Sequence, residues 1–438
     1  MAWIAFAGAV AAVAGCNIGN NYTVGGTLTG LSGSGLVLQD NSGNNLSLAG
    51  NGPFVFSSGI GNGDVYSVTV ATQPSNPTQT CTVQNGSGTI DKADVTNVIV
   101  TCTQPGQFAF VANQASGDIS VYAIDASTGV LAQVAGSPYA SVGTTPAAVA
   151  VDPNGQFLYV ADNGSNDVSV YAIGAGTGVL TSAGIPATTG SGPVAIAIDP
   201  SDSYAFVANL ADNTVSVFAI DSSTGLLTEI TGSPYGVGAE PTSLKTDPGG
   251  NFLFVTNFTG GNVTVFAIDA ASGELTNVPG SPFGAGAGAV SIAIDPTGTF
   301  AYVANESAAS ISAYSINAAT GALTPVSGSP VGTGSGPASL VVDPTGQFMY
   351  AANATSNDDV AAYAITPSSG ALTLAGSPVG AGAVPVGIAI DPSGHFVYAV
   401  NDNTNDVSVY SVSSTGLLTP VAGAPFPAGT QPRSIAID

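Results

Sequence analysis

Basic residues are almost missing from this chain of 438 residues, which has three Lys and Arg against 27 Asp and Glu and a formal charge of −24. Nucleic-acid binding needs clustered Lys and Arg to neutralise phosphates, so the composition excludes it. Binding to an anionic lipid surface is disfavoured for the same reason. Only 7% of the residues are charged, which leaves a surface made mostly of small neutral polar residues. We expect a soluble monomer whose molecules repel one another.

Histidine and cysteine are also scarce. The one histidine, His395, falls in a turn that we place opposite the expected binding face, so no set of nucleophile, histidine and acid is expected there. The sequence contains no His and Cys cluster with zinc spacing and no Gly-rich loop that leads into a helix. We therefore predict no metal site and no cofactor.

The apolar segment at residues 1–15 is too short to span a bilayer and is typical of a signal peptide. It ends in Val13-Ala14-Gly15-Cys16, which resembles a bacterial lipobox, and this resemblance implies lipidation of Cys16. No Lys or Arg precedes the segment, so a buried N-terminal strand or helix is the alternative. We predict export to the cell envelope, as an outer-membrane lipoprotein held only by its lipid, or to the extracellular space.

Residues 20–103 contain seven short strand patterns separated by Gly, Asn and Ser turns. Their number at this length predicts a small Ig-like β-sandwich, similar to modules found beside propellers in bacterial surface proteins. If Cys16 is lipidated, Cys81 and Cys102 remain as a disulfide pair, which requires an oxidising compartment. Two free buried thiols are the alternative. The predicted strands are Tyr22–Leu28, Leu36–Gln39, Asn45–Leu48, Phe54–Phe56, Val65–Thr72, Thr80–Gln84 and Val95–Cys102.

A repeat of about 48 residues fills the rest of the chain, from 107 to 438. An aspartate ends one apolar stretch of each repeat, and an Asn or Asp ends the next. A period of this size is typical of propellers and solenoids. The aspartates are Asp152, Asp199, Asp247, Asp295, Asp343, Asp391 and Asp438.

Each repeat contains four strand patterns, which we name a to d. In one repeat they are Ala338–Asp343, Phe348–Asn353, Val360–Ile365 and Ala371–Leu374, with an Asp-Pro-x-Gly turn between a and b. Four antiparallel strands in a unit of this length predict a propeller blade.

The ends of the repeat region predict how the ring closes. The region opens on a b strand without an a strand and stops at Ser434–Asp438, an a strand without a b strand. The last strand should therefore complete the first blade, and we expect Ile435 beside Ala109. Closure would remove the exposed sheet edges of an open array. The prediction is an all-β chain with a seven-bladed β-propeller after the sandwich.

The strings Phe157-Leu-Tyr-Val-Ala-Asp162, Phe300-Ala-Tyr-Val-Ala-Asn305 and Val168-Ser-Val-Tyr-Ala-Ile173 resemble the YVTN-type repeats of the seven-bladed lactonase-like propeller family. The resemblance covers residues 107–438. It implies the fold strongly and the chemistry weakly, because 6-phosphogluconolactonase-like enzymes and surface proteins share these repeats.

We expect the binding face on the side of the b–c loops and the d–a connections, which include the long segments Gly232–Glu240 and Gly376–Val384. The polar candidates for ligand contact on this face combine carboxylates with the residues that end the b strands. They are Glu240, Glu306, Asp162, Asn163, Asn209, Asp212, Asn257, Asn305, Asn353, Asn401 and Asp402. We interpret the turn aspartates and the b-strand asparagines as structural first, because both recur in every blade. The loop Asp402–Asp406 is a poor match to a calcium site.

Two basic residues break the repeat and complete the set of candidates. Lys245 stands where other blades have Ala or Val, and it needs either a partner or an outlet into the axial channel. Arg433 stands near the start of an a strand, close to the expected binding face. Either residue would equally suit a structural ion pair.

Two functions follow from these features. The first is an envelope propeller that binds or scaffolds a surface glycan, peptide or protein through its long-loop face. The second is a hydrolase of small lactones, which the family resemblance implies and for which no catalytic set stands out.

Overall fold

The computed structural model describes residues 21–31, 34–74, 80–103, 107–355 and 357–438. These residues form β-strands and turns, and the predicted signal peptide with Cys16 lies outside them. No helix within them is long and apolar enough to cross a membrane. The contacts divide the chain into two compact units, with the boundary after position 105.

The first unit has two four-stranded sheets and a two-stranded one. The four-stranded sheets are ordered β5-β2-β10-β8 and β4-β3-β7-β9, and β10 runs parallel to β2. All seven predicted strand regions are strands, while the Ig-like class stays a prediction. The strands are β1 Asn21–Tyr22, β2 Val24–Thr29, β3 Leu36–Asp40, β4 Asn44–Leu48, β5 Gly52–Val55, β6 Ile60–Gly61, β7 Val65–Thr72, β8 Thr80–Gln84, β9 Ser87–Thr89 and β10 Val95–Thr103.

The predicted disulfide is present in this unit. Cys81 and Cys102 lie directly opposite each other on the antiparallel strands β8 and β10, and their sulfur atoms are bonded. Both residues are buried with Val24, Leu38 and Val100 in the core between the sheets. Cross-linking a loop of this size stabilises a fold by about 3 kcal/mol in the chain-entropy model.

The second unit is a ring of seven blades, each with the sheet order a-b-c-d. The a strands are Pro146–Val151, Pro193–Ile198, Pro241–Thr246, Ala289–Ile294, Pro337–Val342, Pro385–Ile390 and Pro432–Ile437. The b strands are Phe108–Asn113, Phe157–Asp162, Tyr204–Asn209, Phe252–Asn257, Phe300–Asn305, Phe348–Asn353 and Phe396–Asn401. The c strands are Asp118–Ile124, Asp167–Ile173, Thr214–Ile220, Asn262–Ile268, Ser310–Ile316, Asp359–Ile365 and Asp406–Val412. The d strands are Leu131–Gln133, Leu180–Ser182, Leu227–Glu229, Leu275–Asn277, Leu323–Pro325, Leu372–Leu374 and Leu418–Pro420.

A fifth strand, e, was missed by the sequence analysis. It has two residues, lies in the connection from d to the next a strand, and pairs with the start of strand c. The connections that we expected to be long loops, such as 232–240, therefore contain regular structure. The e strands are Tyr139–Ala140, Ala187–Thr188, Tyr235–Gly236, Phe283–Gly284, Val331–Gly332, Val379–Gly380 and Phe426–Pro427.

The last strand of the chain closes the ring, as predicted. Pro432–Ile437 pairs antiparallel with Phe108–Asn113, and each a strand contacts the a strands of two neighbouring blades. The expected register is wrong by two residues, because Ile435 lies opposite Val111 and Ile437 lies opposite Ala109. A shift of two keeps the same side chains on the same face of the sheet, so the buried pattern is unchanged.

The hydrophobic core lies between neighbouring blades. One cluster joins Phe157 and Tyr159 of one blade to Ile196, Val207 and Phe218 of the next. Equivalent clusters follow around the ring and include the pair of blades that meet at the closure. The blades are therefore held together by apolar packing between the faces of adjacent sheets.

A glycine in each c–d turn fits against an aromatic ring of the preceding blade. Gly321 has a φ of +71°, and a Cβ there would lie 2.5 Å from the ring of Phe252. The same contact joins Gly178 to Phe108 and, across the closure, Gly129 to Phe396. Only glycine combines a left-handed backbone with such a close approach.

Candidate functional site

Strand a ends and strand b begins on one face of the ring, and the opposite ends of both strands meet on the other face. The second face carries the b–c loops and the connections from e to a. Pro146 at the start of an a strand is paired with Asp162 at the end of the neighbouring b strand. Side chains near both positions therefore lie on this second face of the ring.

The residues that end the b strands are buried and bonded inside their own blades. The amide of Asn209 donates to the hydroxyls of Thr214 and Ser216, both at 3.0 Å, on strand c. Asn257 and Asn305 donate in the same way to Thr264 and Ser312. Asn353 donates to Asp359 and Asn401 to Asp406 and Ser408. These hydrogen bonds connect strand b to strand c, so each amide has a structural role. Ligand contact by these asparagines stays a prediction.

Asp162 is the one carboxyl group at this position. Its oxygens accept hydrogen bonds from the hydroxyls of Ser141, at 2.8 Å, and Ser169, at 2.6 Å. Burial raises the pKa of Asp162 from 3.8 to about 6, and the two hydroxyls only partly offset this effect. The site therefore destabilises the charged form that Asp162 adopts at neutral pH.

The next residue of each blade forms what we call the mouth ring. The backbone N–H of each member donates to the carbonyl of the residue just before an a strand; for example, Glu306 donates to Gly288 and Asp402 to Val384, at 2.8 and 2.9 Å. The bond recurs in all seven blades and fixes the ring in one geometry. The members are Gln114, Asn163, Leu210, Phe258, Glu306, Ala354 and Asp402.

The mouth ring has seven different side chains on this common backbone. All seven are buried or half-buried. Three consecutive blades supply the polar arc of Asp402, Gln114 and Asn163, and the next two supply Leu210 and Phe258. The mouth ring therefore has a polar side and an apolar side, and Glu306 and Ala354 complete it. Gln114, Leu210, Phe258 and Ala354 were not predicted from the sequence, although they stand one position after the landmark that ends each b strand.

Arg433 belongs to the polar arc. Its Nε donates to the side-chain oxygen of Gln114 at 2.8 Å, and its Nη1 lies 3.5 Å from Oδ2 of Asp402. Asp402 is buried, and its Oδ1 has no hydrogen-bond partner among the described residues. Arg433 thus joins the first blade to the seventh through a structural ion pair, and a ligand contact by its half-exposed guanidinium stays a prediction.

The two glutamates on this face differ. Glu306 is a member of the mouth ring, and burial raises the pKa of its carboxyl group. Glu240 is exposed, has a left-handed backbone with a φ of +55°, and accepts a hydrogen bond from Thr259. Glu306 is therefore the one of the two that belongs to the mouth ring.

The axial channel has a volume of about 650 Å³ and is lined by the seven a strands. Lys245 lies in this lining, which is the outlet that the sequence analysis required. Its side chain is exposed, but only to the channel, and the strands that surround it lower the pKa of its ammonium group by desolvation. Lys245 and Arg433 are thus on the same channel at different depths.

The turn aspartates and His395 lie on the opposite face and are bonded in turns. Asp199 accepts backbone hydrogen bonds from Ser203 and Tyr204, at 2.7 and 2.6 Å, and the other turn aspartates repeat this pattern. His395 is an exposed turn residue whose Nδ1 lies 2.9 Å from the hydroxyl of Ser393. The described residues contain no group of three or more His, Cys, Asp and Glu that could hold a metal ion.

Comparison with known proteins places this architecture in a wider group. A model of the family described as Lactonase, 7-bladed beta-propeller, matches residues 45–242 and 237–432. A search of curated proteins found no match. A Bacteroides uniformis protein provisionally described as a 6-phosphogluconolactonase is 21% identical with a TM-score of 0.67, covering 76% of this chain and 100% of that one. The periplasmic gluconolactonase PpgL of Pseudomonas aeruginosa is 19% identical with a TM-score of 0.65, covering 76% and 98%. At these identities the likeness shows the fold.

Proposed function

The chain belongs to the Lactonase, 7-bladed beta-propeller family, and on this basis we propose that it binds and hydrolyses a small sugar lactone at its mouth ring. The observation that carries the proposal is the mouth ring itself. Elsewhere in the blade the buried polar positions repeat, because the fold requires them. In the mouth ring the backbone hydrogen bond is the same in every blade, but the side chain differs in each. Such variation is expected where ligand binding, and not folding, determines the residue.

The two sides of the mouth match the chemistry of a sugar lactone. Such a ring carries hydroxyls and an ester carbonyl at its edges and C–H groups on its faces. Asp402, Gln114 and Asn163 offer donors and acceptors to the edges, and Leu210 and Phe258 offer an apolar surface to a face. The net charge of −24 also favours a neutral substrate over a phosphorylated one.

Hydrolysis needs a base for the attacking water and a positive group for the carbonyl oxygen. Water adds to the carbonyl carbon, the ring C–O bond breaks, and the product is a hydroxy acid. Glu306, whose pKa is raised by burial, is a suitable general base. The guanidinium of Arg433, held by Gln114 and Asp402, is suited to stabilise the oxyanion.

The test is a continuous assay of acid release with gluconolactone and related sugar lactones on the full chain. We expect Arg433→Ala to lower kcat/KM by roughly 10²- to 10³-fold, the effect of one oxyanion donor. We expect Glu306→Gln to lower kcat by roughly 10²- to 10⁴-fold. His395→Gln is the matched control, since other blades have Gln156 and Gln347 at this turn position on the opposite face. Hydrolysis that is no faster than in buffer, or that survives both mouth variants, would overturn the proposal.

A non-catalytic role at the same ring is the second candidate. A mouth that is polar on one side and apolar on the other suits capture of a surface glycan, peptide or protein as well as turnover. Glycan-array binding that is lost in Arg433→Ala, without lactone hydrolysis by the wild type, would favour this role. No binding at millimolar ligand would exclude it for the glycans tested.

Export completes the proposal. The disulfide between Cys81 and Cys102 is the supporting observation, because such bonds persist in oxidising compartments. Lipidation at Cys16 and an outer-membrane location stay predictions from the sequence. Metabolic labelling with a radiolabelled fatty acid tests them, and the label should be absent from Cys16→Ser.

A further inference from the structure

Both basic residues of the propeller lie on one channel. The chain has three Lys and Arg, and the third, Lys92, belongs to the first unit. Lys245 and Arg433 both line the axial channel, in a protein with a net charge of −24. Two cations that converge on one interior surface of an otherwise acidic molecule point to an anion in that interior.

The two cations have different partners. Arg433 is paired with Asp402, at 3.5 Å. Lys245 forms no ion pair with any carboxylate of the described residues. The only carboxylate in the channel lining, Asp247, accepts backbone hydrogen bonds from Asn251 and Phe252, at 2.7 and 2.6 Å. Lys245 is therefore a partly desolvated cation in the channel with no carboxylate partner among the described residues, so an anion from solution can pair with it.

We propose that the axial channel binds a small organic carboxylate at the ammonium group of Lys245. Arg433 is the second residue of its a strand and Lys245 the fifth, so their levels differ by on the order of 10 Å along the channel. The site is thus separate from the mouth ring and does not depend on lactone hydrolysis there.

The lining explains the choice of a carboxylate. Hydroxyl groups recur at the third position of four a strands, in Ser243, Ser291, Ser339 and Ser434. Ser291 and Ser434 accept backbone N–H groups at 3.2 and 3.3 Å, which leaves each hydroxyl hydrogen free to donate. The rest of the lining is mostly Ala, Val and Ile, which suits an organic body. One ammonium charge matches a monoanion better than a phosphate dianion.

The test is calorimetric titration of the full chain with sodium acetate and sodium gluconate, against sodium chloride at equal ionic strength. Lys245→Ala is the central variant, because Ala is the residue of five other blades at this position, which secures folding. We expect saturable binding of one carboxylate by the wild type. Lys245→Ala should bind about 10- to 100-fold more weakly, as expected for a lost charged hydrogen bond.

Two further measurements make the result specific. His395→Gln, on the opposite face, should keep the carboxylate binding of the wild type, and Lys245→Ala should have a higher Tm than the wild type in low salt. Equal binding by Lys245→Ala, a loss only in Arg433→Ala, or an equal response to chloride would each overturn the proposal. Lys245→Met repeats the test with the length of the side chain preserved.

Discussion

The backbone N–H of Phe108 donates a hydrogen bond to a carboxylate oxygen of Asp438, a residue 330 positions later in the chain. The same bond links Phe157 to Asp152 and Phe252 to Asp247 within single repeats. The two strands that close the ring are therefore joined by the same aspartate hydrogen bond as the other a and b strands, although no turn connects them. Burial raises the pKa of Asp438 to about 6, so its charged form opposes closure at neutral pH.

Asp162→Asn should stabilise the propeller at neutral pH. The carboxyl group titrates near 3.8 when unfolded and near 6 when folded, so its favourable contribution is complete below pH 3.8 and is lost as the pH rises through 6. We expect the variant to raise the free energy of unfolding by about 1–3 kcal/mol at pH 7 and to change it little at pH 3.5. Chemical denaturation at several pH values measures the difference.

The mirror-image control for this prediction is Asn209→Asp, which creates the carboxyl group in the next blade. This variant should have a lower free energy of unfolding than the wild type at pH 7 and nearly the same value at acidic pH. A difference between Asp162→Asn and the wild type that is independent of pH would contradict the assigned pKa.

Gly321→Ala should weaken the contact between two blades. The new methyl group would lie 2.5 Å from the ring of Phe252, and the backbone φ of +71° adds strain. We expect a loss of about 2–5 kcal/mol in the free energy of unfolding. Gly117→Ala is the control, because its φ is +68° and a Cβ there has nothing within 4 Å. Equal losses in both variants would show that the aromatic contact contributes nothing.

Tyr350→Phe should leave stability unchanged or raise it by about 1 kcal/mol. The buried hydroxyl of Tyr350 has no partner among the described residues, and the equivalent position in three other blades holds Phe110, Phe206 and Phe254. Tyr302→Phe is the matched variant, because its hydroxyl donates to the carbonyl of Gly370 at 3.2 Å. Tyr302→Phe should lower the free energy of unfolding by about 1 kcal/mol. Thermal unfolding of both variants measures these changes. A larger loss of stability in Tyr350→Phe than in Tyr302→Phe would contradict the prediction.

The repeat predicted most of the fold because its landmarks are physical requirements. Asp152 must cap its turn and Asn209 must bridge two strands, so both recur and mark the strand ends. Strand e has only two residues and no alternation of its own, so Tyr139–Ala140 gave no pattern to recognise. The register predicted at the closure was wrong although the repeat contains the correct one, because Ile435 pairs with Val111 as Val149 pairs with Val160 in the next blade.

The candidate site was predictable only where it broke the repeat. Lys245 and Arg433 are conspicuous because other blades have small apolar or neutral side chains at their positions. The mouth ring was not recognised as a set, since seven unlike residues at one position have the pattern of an ordinary loop. Their common backbone bond, such as that from Phe258 to Glu240, is visible only in three dimensions.

Strands d and e divide the outer rim of every blade into fragments of three and two residues. A neighbouring molecule therefore finds no long row of free N–H and C=O groups along which it could add a strand. This matters for a chain with so few charged side chains, whose neutral surface gives little local protection against self-association. The short strands of the rim should therefore keep the propeller blades from adding strands of neighbouring molecules.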